Sequence, residues 1–276
     1  MDAPGQLYVV GGMTRRGDVY PPSDKVHEYD PAKDQWTEKA SMPTPRRDLA
    51  VVVAGAVIYA IGGNEADDNG RGSKRVERYD PVADKWHALA DMPTARCRMA
   101  AVHHHGRILA IGGPQASLAV EEYDVAEDRW RRRGNLPSAK RTPFAAATSD
   151  RVVVIGGTRD GKEDYSVVHR YDAAADAWTA GSPMPLARTD VAVAAVDGKV
   201  FVFGGWIPGG LTPRIQAYDV AADRWMECGN MTTARSFAGA AAIDGRIYVV
   251  GGAVYLTRSS LSPVDDAELY DPLLAP

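Results

Sequence analysis

The chain has 276 residues, 45% hydrophobic and 25% charged, ordinary globular values that exclude a disordered polymer. Its formal net charge of −4 gives no general attraction to nucleic acid, no run reaches the ~18 apolar residues of a membrane span, and Met1 to Gln6 lack the regions of a signal peptide. Cys97 and Cys228 are too few for a disulfide framework, so a reducing compartment, the cytoplasm by default, is expected.

Along the chain, an apolar run ends at Gly11-Gly12, a loop follows, a segment ends at Tyr29-Asp30, and Trp36, Met42 and Arg46 come after it. The succession returns as Gly62-Gly63, Tyr79, Trp86, Met92 and Arg96, then as Gly112-Gly113, Tyr123, Trp130, Leu136 and Lys140. It returns again as Gly156-Gly157, Tyr171, Trp178, Met184 and Arg188, and as Gly204-Gly205, Tyr218, Trp225, Met231 and Arg235. Gly251-Gly252 and Tyr270 open a sixth round. From each of the first five tyrosines the next diglycine lies 33 residues on, and all length variation falls between a diglycine and the following Tyr. A fixed frame with one variable segment is one packed unit carrying one adjustable loop.

Each unit predicts four short strands. Strand a follows the basic residue and is rich in small side chains, as in Ala238-Gly239-Ala240-Ala241-Ala242. Strand b is apolar and ends in the diglycine, as in Ile247-Tyr248-Val249-Val250. Strand c ends at Tyr-Asp, and strand d passes through the Trp. Glycines after strand b permit positive φ and close backbone approach, while Tyr and Trp bury large apolar faces.

With its diglycines, Tyr-Asp-x-x-x-x-x-Trp and Met-Pro-x-x-Arg, the sequence resembles the kelch family over essentially its whole length. The resemblance implies an all-β fold, a six-bladed propeller of four-stranded antiparallel blades in a single domain over residues 1–276. The first and last blades are expected to be incomplete. No Trp follows Tyr270 at the usual spacing, and only ten residues precede Gly11. Ring closure would need 16 more residues, the equivalent of strand d of the last blade and most of strand a of the first. A truncated gene model or a ring with two three-stranded blades would account for this, and either predicts a weak seam there.

Antiparallel a and b strands put the head of strand a beside the diglycine and the variable loop, on what we term the top. The bottom carries paired aspartates (Asp30 and Asp34, Asp80 and Asp84, Asp124 and Asp128, Asp172 and Asp176, Asp219 and Asp223), read as turn residues bonding nearby amides and not as a metal site. His103-His104-His105 alternate across a strand and cannot all ligate one ion. No metal or cofactor is expected. The basic residue heading strand a is too regular for a specific site. Its expected partner is the residue two before Tyr: Glu77, Glu121 and Glu268 in three repeats.

The two residues after that base vary: Arg47 and Asp48, Cys97 and Arg98, Arg141 and Thr142, Thr189 and Asp190, Ser236 and Phe237. In kelch domains that capture peptides these positions and the loops line a shallow cup, so the resemblance makes them the candidate binding residues. Arg47, Arg98 and Arg141 suit carboxylates of an acidic protein or peptide, unless Asp48 and Asp190 pair with them. Trp206, the one Trp outside the repeat frame, and Tyr255 extend the candidate surface, with Arg15, Arg16, Arg159 and Arg258 as weaker members.

The chain contains no P-loop, dinucleotide fingerprint, Gly-x-Ser-x-Gly elbow or His-Glu-x-x-His. Nor does it show the Tyr–Cys pair of kelch-type oxidases or the Glu-x-x-x-Asp-x-x-x-His iron motif of plant specifier proteins. The expectation is therefore a non-enzymatic, monomeric binding module. The alternative is a sugar-binding or isomerising protein of the sialic acid epimerase kind. Kelch domains serve as substrate receptors in ubiquitin ligases or as cytoskeletal scaffolds, roles that need adaptor sequence outside this stretch.

Overall fold

Strand b of each repeat is a short continuous apolar run, the pattern of a strand buried on both faces, while strand a alternates, the pattern of a half-covered strand. The computed structural model describes residues 5–14, 20–65, 70–114, 118–159, 162–163, 165–257, 260–264 and 266–273, with the side chains of 158–159, 162–163, 255–257 and 260–261 outside the described set. Every regular element in it is a strand. Among the described residues no helix is long and apolar enough to cross a membrane.

The chain divides into two compact units, Met1–Pro143 and Phe144–Pro276. In the first unit, one sheet holds β1 (Leu7–Val10), β2 (Val26–Asp30) and β3 (Gln35–Glu38). The next holds β4 (Ala50–Ala54), β5 (Val57–Ile61), β6 (Val76–Asp80) and β7 (Lys85–Ala88), and the third β8 (Ala100–His104), β9 (Arg107–Ile111), β10 (Val120–Asp124) and β11 (Arg129–Arg132).

The second unit opens with β12 (Phe144–Ala147), β13 (Val152–Ile155), β16 (Val168–Asp172) and β17 (Ala177–Gly181), with the ribbon β14 (Thr158–Arg159) and β15 (Lys162–Glu163) between. Its middle sheet holds β18 (Ala192–Val196), β19 (Lys199–Phe203), β22 (Arg214–Asp219) and β23 (Arg224–Asn230), with the ribbon β20 (Trp206–Ile207) and β21 (Gly210–Leu211). The last holds β24 (Gly239–Ile243), β25 (Arg246–Val250) and β28 (Ala267–Tyr270), with the ribbon β26 (Ala253–Thr257) and β27 (Ser260–Pro263).

These are six antiparallel propeller blades in strand order a-b-c-d. Among the described residues the first blade has b, c and d and the sixth a, b and c, as the sequence predicts. The loops after the fourth, fifth and sixth diglycines differ from expectation, since they form two-stranded ribbons.

In the second blade Ile58, Tyr59, Ala60 and Ile61 are at most 3% exposed, whereas Val51 and Val53 of strand a are 40% and 59% exposed beside buried Ala50, Val52 and Ala54. Cores lie between consecutive blades within a unit. One packs Val52, Tyr59 and Val76 of the second blade against Ile108, Ala110 and Tyr123 of the third. In the second unit, another packs Phe201, Phe203 and Ile215 of the fifth against Ile247 and Val249 of the sixth.

The diglycine follows from this packing. A Cβ on Gly62 (φ +58) would lie 2.6 Å from the Arg96 carbonyl of the next blade, and one on Gly63 (φ +97) 2.8 Å from the Arg47 carbonyl of its own. Only glycine tolerates both the left-handed backbone and those approaches.

Candidate functional site

The top is built upward from a buried cation. Arg46, Arg96, Arg188 and Arg235 are at most 1% exposed; the first three donate to backbone carbonyls at the ends of strands b and c, and Arg235 donates to the Gly251 carbonyl at the end of strand b. Arg46 also donates to Glu77 Oε2 at 2.7 Å, and Arg96 and Arg235 pair with Glu121 and Glu268. The glutamate two residues before Tyr is thus the partner that the spacing predicts.

In the fifth blade Gln216 stands at that position and accepts from Arg188 Nη2 at 3.3 Å. Burial lowers the pKa of Arg46 and Arg96, opposed by their glutamates. Arg188, with no carboxylate in contact, is pushed down by burial to about 10. These cations are buried inside the blade and bond its carbonyls and side-chain acceptors there, so they are structural.

The fixed base holds the next two residues in a repeated geometry. The first pairs backbone to backbone with the residue after its own diglycine: Arg47 with Asn64, Thr189 with Trp206, Ser236 with Ala253. The second adopts a left-handed backbone in four blades: Asp48 (φ 55), Arg98 (φ 47), Asp190 (φ 55) and Phe237 (φ 58). Thr142 does not share it, because Pro143 follows and biases that residue toward extended backbone. Within each unit these residues connect neighbouring blades. The Arg98 N–H donates to the Asp48 carbonyl at 2.9 Å, and the Phe237 N–H to the Asp190 carbonyl at 2.9 Å. A non-glycine residue at positive φ is uncommon, and a bulky one such as Phe237 is an outlier.

In the first unit the structure brings Arg47, Asp48 and Arg98 together. Asp48 Oδ2 accepts from Asn64 Nδ2 at 2.9 Å and lies 3.4 Å from Arg98 Nε, so the pairing alternative foreseen for Asp48 is realised at Arg98. The Arg98 side chain is still 59% exposed, and such a pair contributes only about 0–1 kcal/mol. Arg47 is half-buried, Arg141 exposed and Thr142 half-buried.

In the second unit Thr189, Asp190 and Trp206 are half-buried, and Trp206 is held in its ribbon opposite Leu211. Phe237 is 57% exposed, while Ser236 is 1% exposed, its hydroxyl turned inward. Tyr255 has its backbone in β26, but its side chain lies outside the described residues, as does that of Arg159; Arg15, Arg16 and Arg258 lie outside them entirely. Sequence reasoning missed Asn64, 4% exposed, which ties Arg47 to Asp48. Its one signal was its place directly after a diglycine.

At the bottom the paired aspartates do the local work expected of turns. Asp80 Oδ1 accepts the Val82 and Ala83 amides at 2.9 and 3.1 Å, and Asp84 Oδ1 accepts the Tyr79 hydroxyl at 2.6 Å. His104 is buried between half-buried His103 and exposed His105, with the His103 pKa lowered by burial and by His105. Among the described residues no group of three or more His, Cys, Asp or Glu is placed to hold a metal ion.

Comparison with known proteins gives the same repeat. The Kelch motif profile matches residues 3–43, 45–93, 187–232 and 234–274, more than half of the chain. An F-box/kelch-repeat protein of Arabidopsis thaliana is 42% identical over 67 residues, 24% of this chain and 16% of that protein. Kelch-like protein 15 of Homo sapiens is 36% identical over 63 residues, 22% of this chain and 10% of that protein. Beta-scruin of Limulus polyphemus is 39% identical over 57 residues, 21% of this chain and 6% of that protein. The matched stretches are therefore a small part of these relatives' lengths.

Proposed function

Because the chain belongs to the kelch-repeat family, we propose that it is a protein-interaction module whose binding residues are those that follow the buried bases at the top of each blade. The observation that carries this reading is the contrast at the second position. Backbone geometry there is the same in four blades, yet the side chains are Asp48, Arg98, Asp190 and Phe237. A frame held by buried arginines that carries acidic, basic and aromatic side chains at one position is suited to recognition.

In the first unit Arg47, Arg98 and Arg141 give this surface a basic character despite Asp48, which suits carboxylates of an acidic partner segment. In the second, Phe237 and Trp206 supply aromatic area of the kind that anchors interfaces. The relatives' names point the same way. An F-box/kelch-repeat protein and a Kelch-like protein support an adaptor-type role, in which this stretch holds the partner and sequence outside it supplies the remainder.

The test is affinity capture from the source cell's lysate. Wild type is compared with an Arg47→Ala/Arg98→Ala/Trp206→Ala variant of unchanged denaturation midpoint. Proteins retained by wild type and lost by the variant support the reading. Equal retention moves the site elsewhere, and retention of a soluble sugar in place of any protein favours the epimerase-like alternative.

A further inference from the structure

The outer edge of the third blade carries a dense row of cations. β11 is the outermost strand of a four-stranded sheet, and among the described residues it pairs with β10 alone. It reads Arg-Trp-Arg-Arg over Arg129–Arg132, and Arg133 follows. The outer strands β3, β7, β17 and β23 carry at most one Lys or Arg each.

A buried carboxylate arranges part of this row. The Glu122 side chain on β10 is 2% exposed and accepts from Arg131 Nε at 2.8 Å and Arg133 Nε at 2.7 Å. In the first blade Glu28 holds the same place, yet Thr37 and Lys39 stand where the third blade has Arg131 and Arg133. Satisfying that carboxylate therefore does not require two arginines. Arg129, Arg131 and Arg132 all remain exposed. Arg129 pairs only with exposed Glu127, and among the described residues Arg132 forms no ion pair.

The backbone of this edge is ordered for pairing. The Arg133 N–H donates to the Val120 carbonyl at 3.0 Å, so by the alternation of an antiparallel ladder Arg129 and Arg131 also turn their backbone groups toward β10. Trp130 and Arg132 turn theirs outward. Side chains alternate as well, placing Arg129 and Arg131 on one face of the strand and Arg132 on the other. Trp130 offers no platform for a nucleobase, because its ring packs on Tyr123 with centroids 5.1 Å apart and its indole N–H donates to the Ala90 carbonyl at 2.9 Å. The same edge of a second copy would set arginine against arginine.

We propose that the edge of β11 binds an extended acidic segment of another protein by strand addition, its carboxylates taken by Arg129, Arg131 and Arg132. The outward groups of Trp130 and Arg132 supply backbone pairing, and the guanidiniums select Asp or Glu. Glu122 holds Arg131 in place beforehand, which lowers the ordering cost of binding. This surface is separate from the top residues and independent of the function proposed for them.

Fluorescence anisotropy tests this with the full chain carrying Arg47→Ala/Arg98→Ala, which keeps acidic ligands from the top. The probe is a labelled peptide of repeating Glu-Glu-Thr-Thr, which places carboxylates on both faces of a strand. Saturable binding is expected, weakened about tenfold when Arg129→Ala/Arg132→Ala is added. Both side chains are exposed, so the denaturation midpoint should not move. Binding should also be lost when proline replaces the peptide's threonines, since proline donates nothing to a ladder. Equal affinity with and without Arg129→Ala/Arg132→Ala, or no binding at millimolar peptide, would overturn the proposal. Equal affinity for the proline peptide would overturn strand addition, and tighter binding of an oligothymidylate at the same arginines would overturn the acidic segment as occupant.

Discussion

The indole N–H of Trp86 donates to the carbonyl of Ala40 at 2.9 Å, reaching from one blade into the blade before it across 46 residues of sequence. Asp84 completes the contact by accepting the Ala40 amide at 2.8 Å and the Tyr79 hydroxyl at 2.6 Å. The constant spacing of Tyr, Asp and Trp is therefore the spacing of an inter-blade fastening. It has to be invariant, while the loop on the far side of the blade is free to vary.

Removing that fastening should be costly. Trp86→Ala should destabilise by about 3 kcal/mol, the lower end for a large aromatic because the side chain is half-buried. Trp86→Phe, which deletes chiefly the hydrogen bond, should cost about 1 kcal/mol. Trp36→Ala should cost less than Trp86→Ala, since Trp36 is 44% exposed. Urea titrations of the three variants check the order.

The buried bases should show the penalty of an uncompensated charge. Arg96 and Glu121 both have side chains 0% exposed, so Glu121→Gln should destabilise by about 3–5 kcal/mol. Gln216→Ala, which removes a neutral partner of Arg188, should cost only about 1 kcal/mol. Chemical denaturation at neutral pH measures both.

Alkali should unfasten the blades through the tyrosines. Burial, followed by the hydrogen bond to the turn aspartate, raises the pKa of Tyr79, Tyr123 and Tyr218 above the ordinary phenol value of 10.0. A phenol whose pKa is higher folded than unfolded contributes fully below that ordinary value, and its contribution falls as pH rises beyond it. The urea midpoint should hold between about pH 8 and 9 and drop steadily above pH 10, less steeply in Tyr79→Phe.

Two glycines of similar backbone separate steric from conformational cost. Gly12 (φ +96) has open space where a Cβ would be, while at Gly205 (φ +97) the Thr189 carbonyl would lie 2.5 Å away. Gly12→Ala should cost about 1–2 kcal/mol for the left-handed backbone alone, and Gly205→Ala measurably more. Thermal denaturation of the pair gives the difference.

What was legible in the sequence was whatever repeats. Fixed intervals identify strand order, the Tyr–Asp turns and the partnership of Arg46 with Glu77. The left-handed backbone at Arg98 and Phe237 was not legible, because no side-chain type marks it and the hydrogen bonds that hold it come from the neighbouring blade. Nor was the pairing of Trp206 with Thr189, or the ribbon that carries it. Loop residues Gly209 and Gly210 read as a turn-rich connection, and a two-residue strand on each side leaves too short an alternation to detect.

The most direct test of the account is partner capture by Phe237→Gly, set beside wild type at equal concentration. Glycine relieves a left-handed backbone that costs a bulky residue about 1–2 kcal/mol, offset by about 0.5–1 kcal/mol of added chain freedom, so the fold should be no less stable. Because Phe237 is 57% exposed, the account predicts that this stable variant loses most of the partner that wild type retains. Full retention by Phe237→Gly would contradict the claim that the residues following the buried bases are the binding surface.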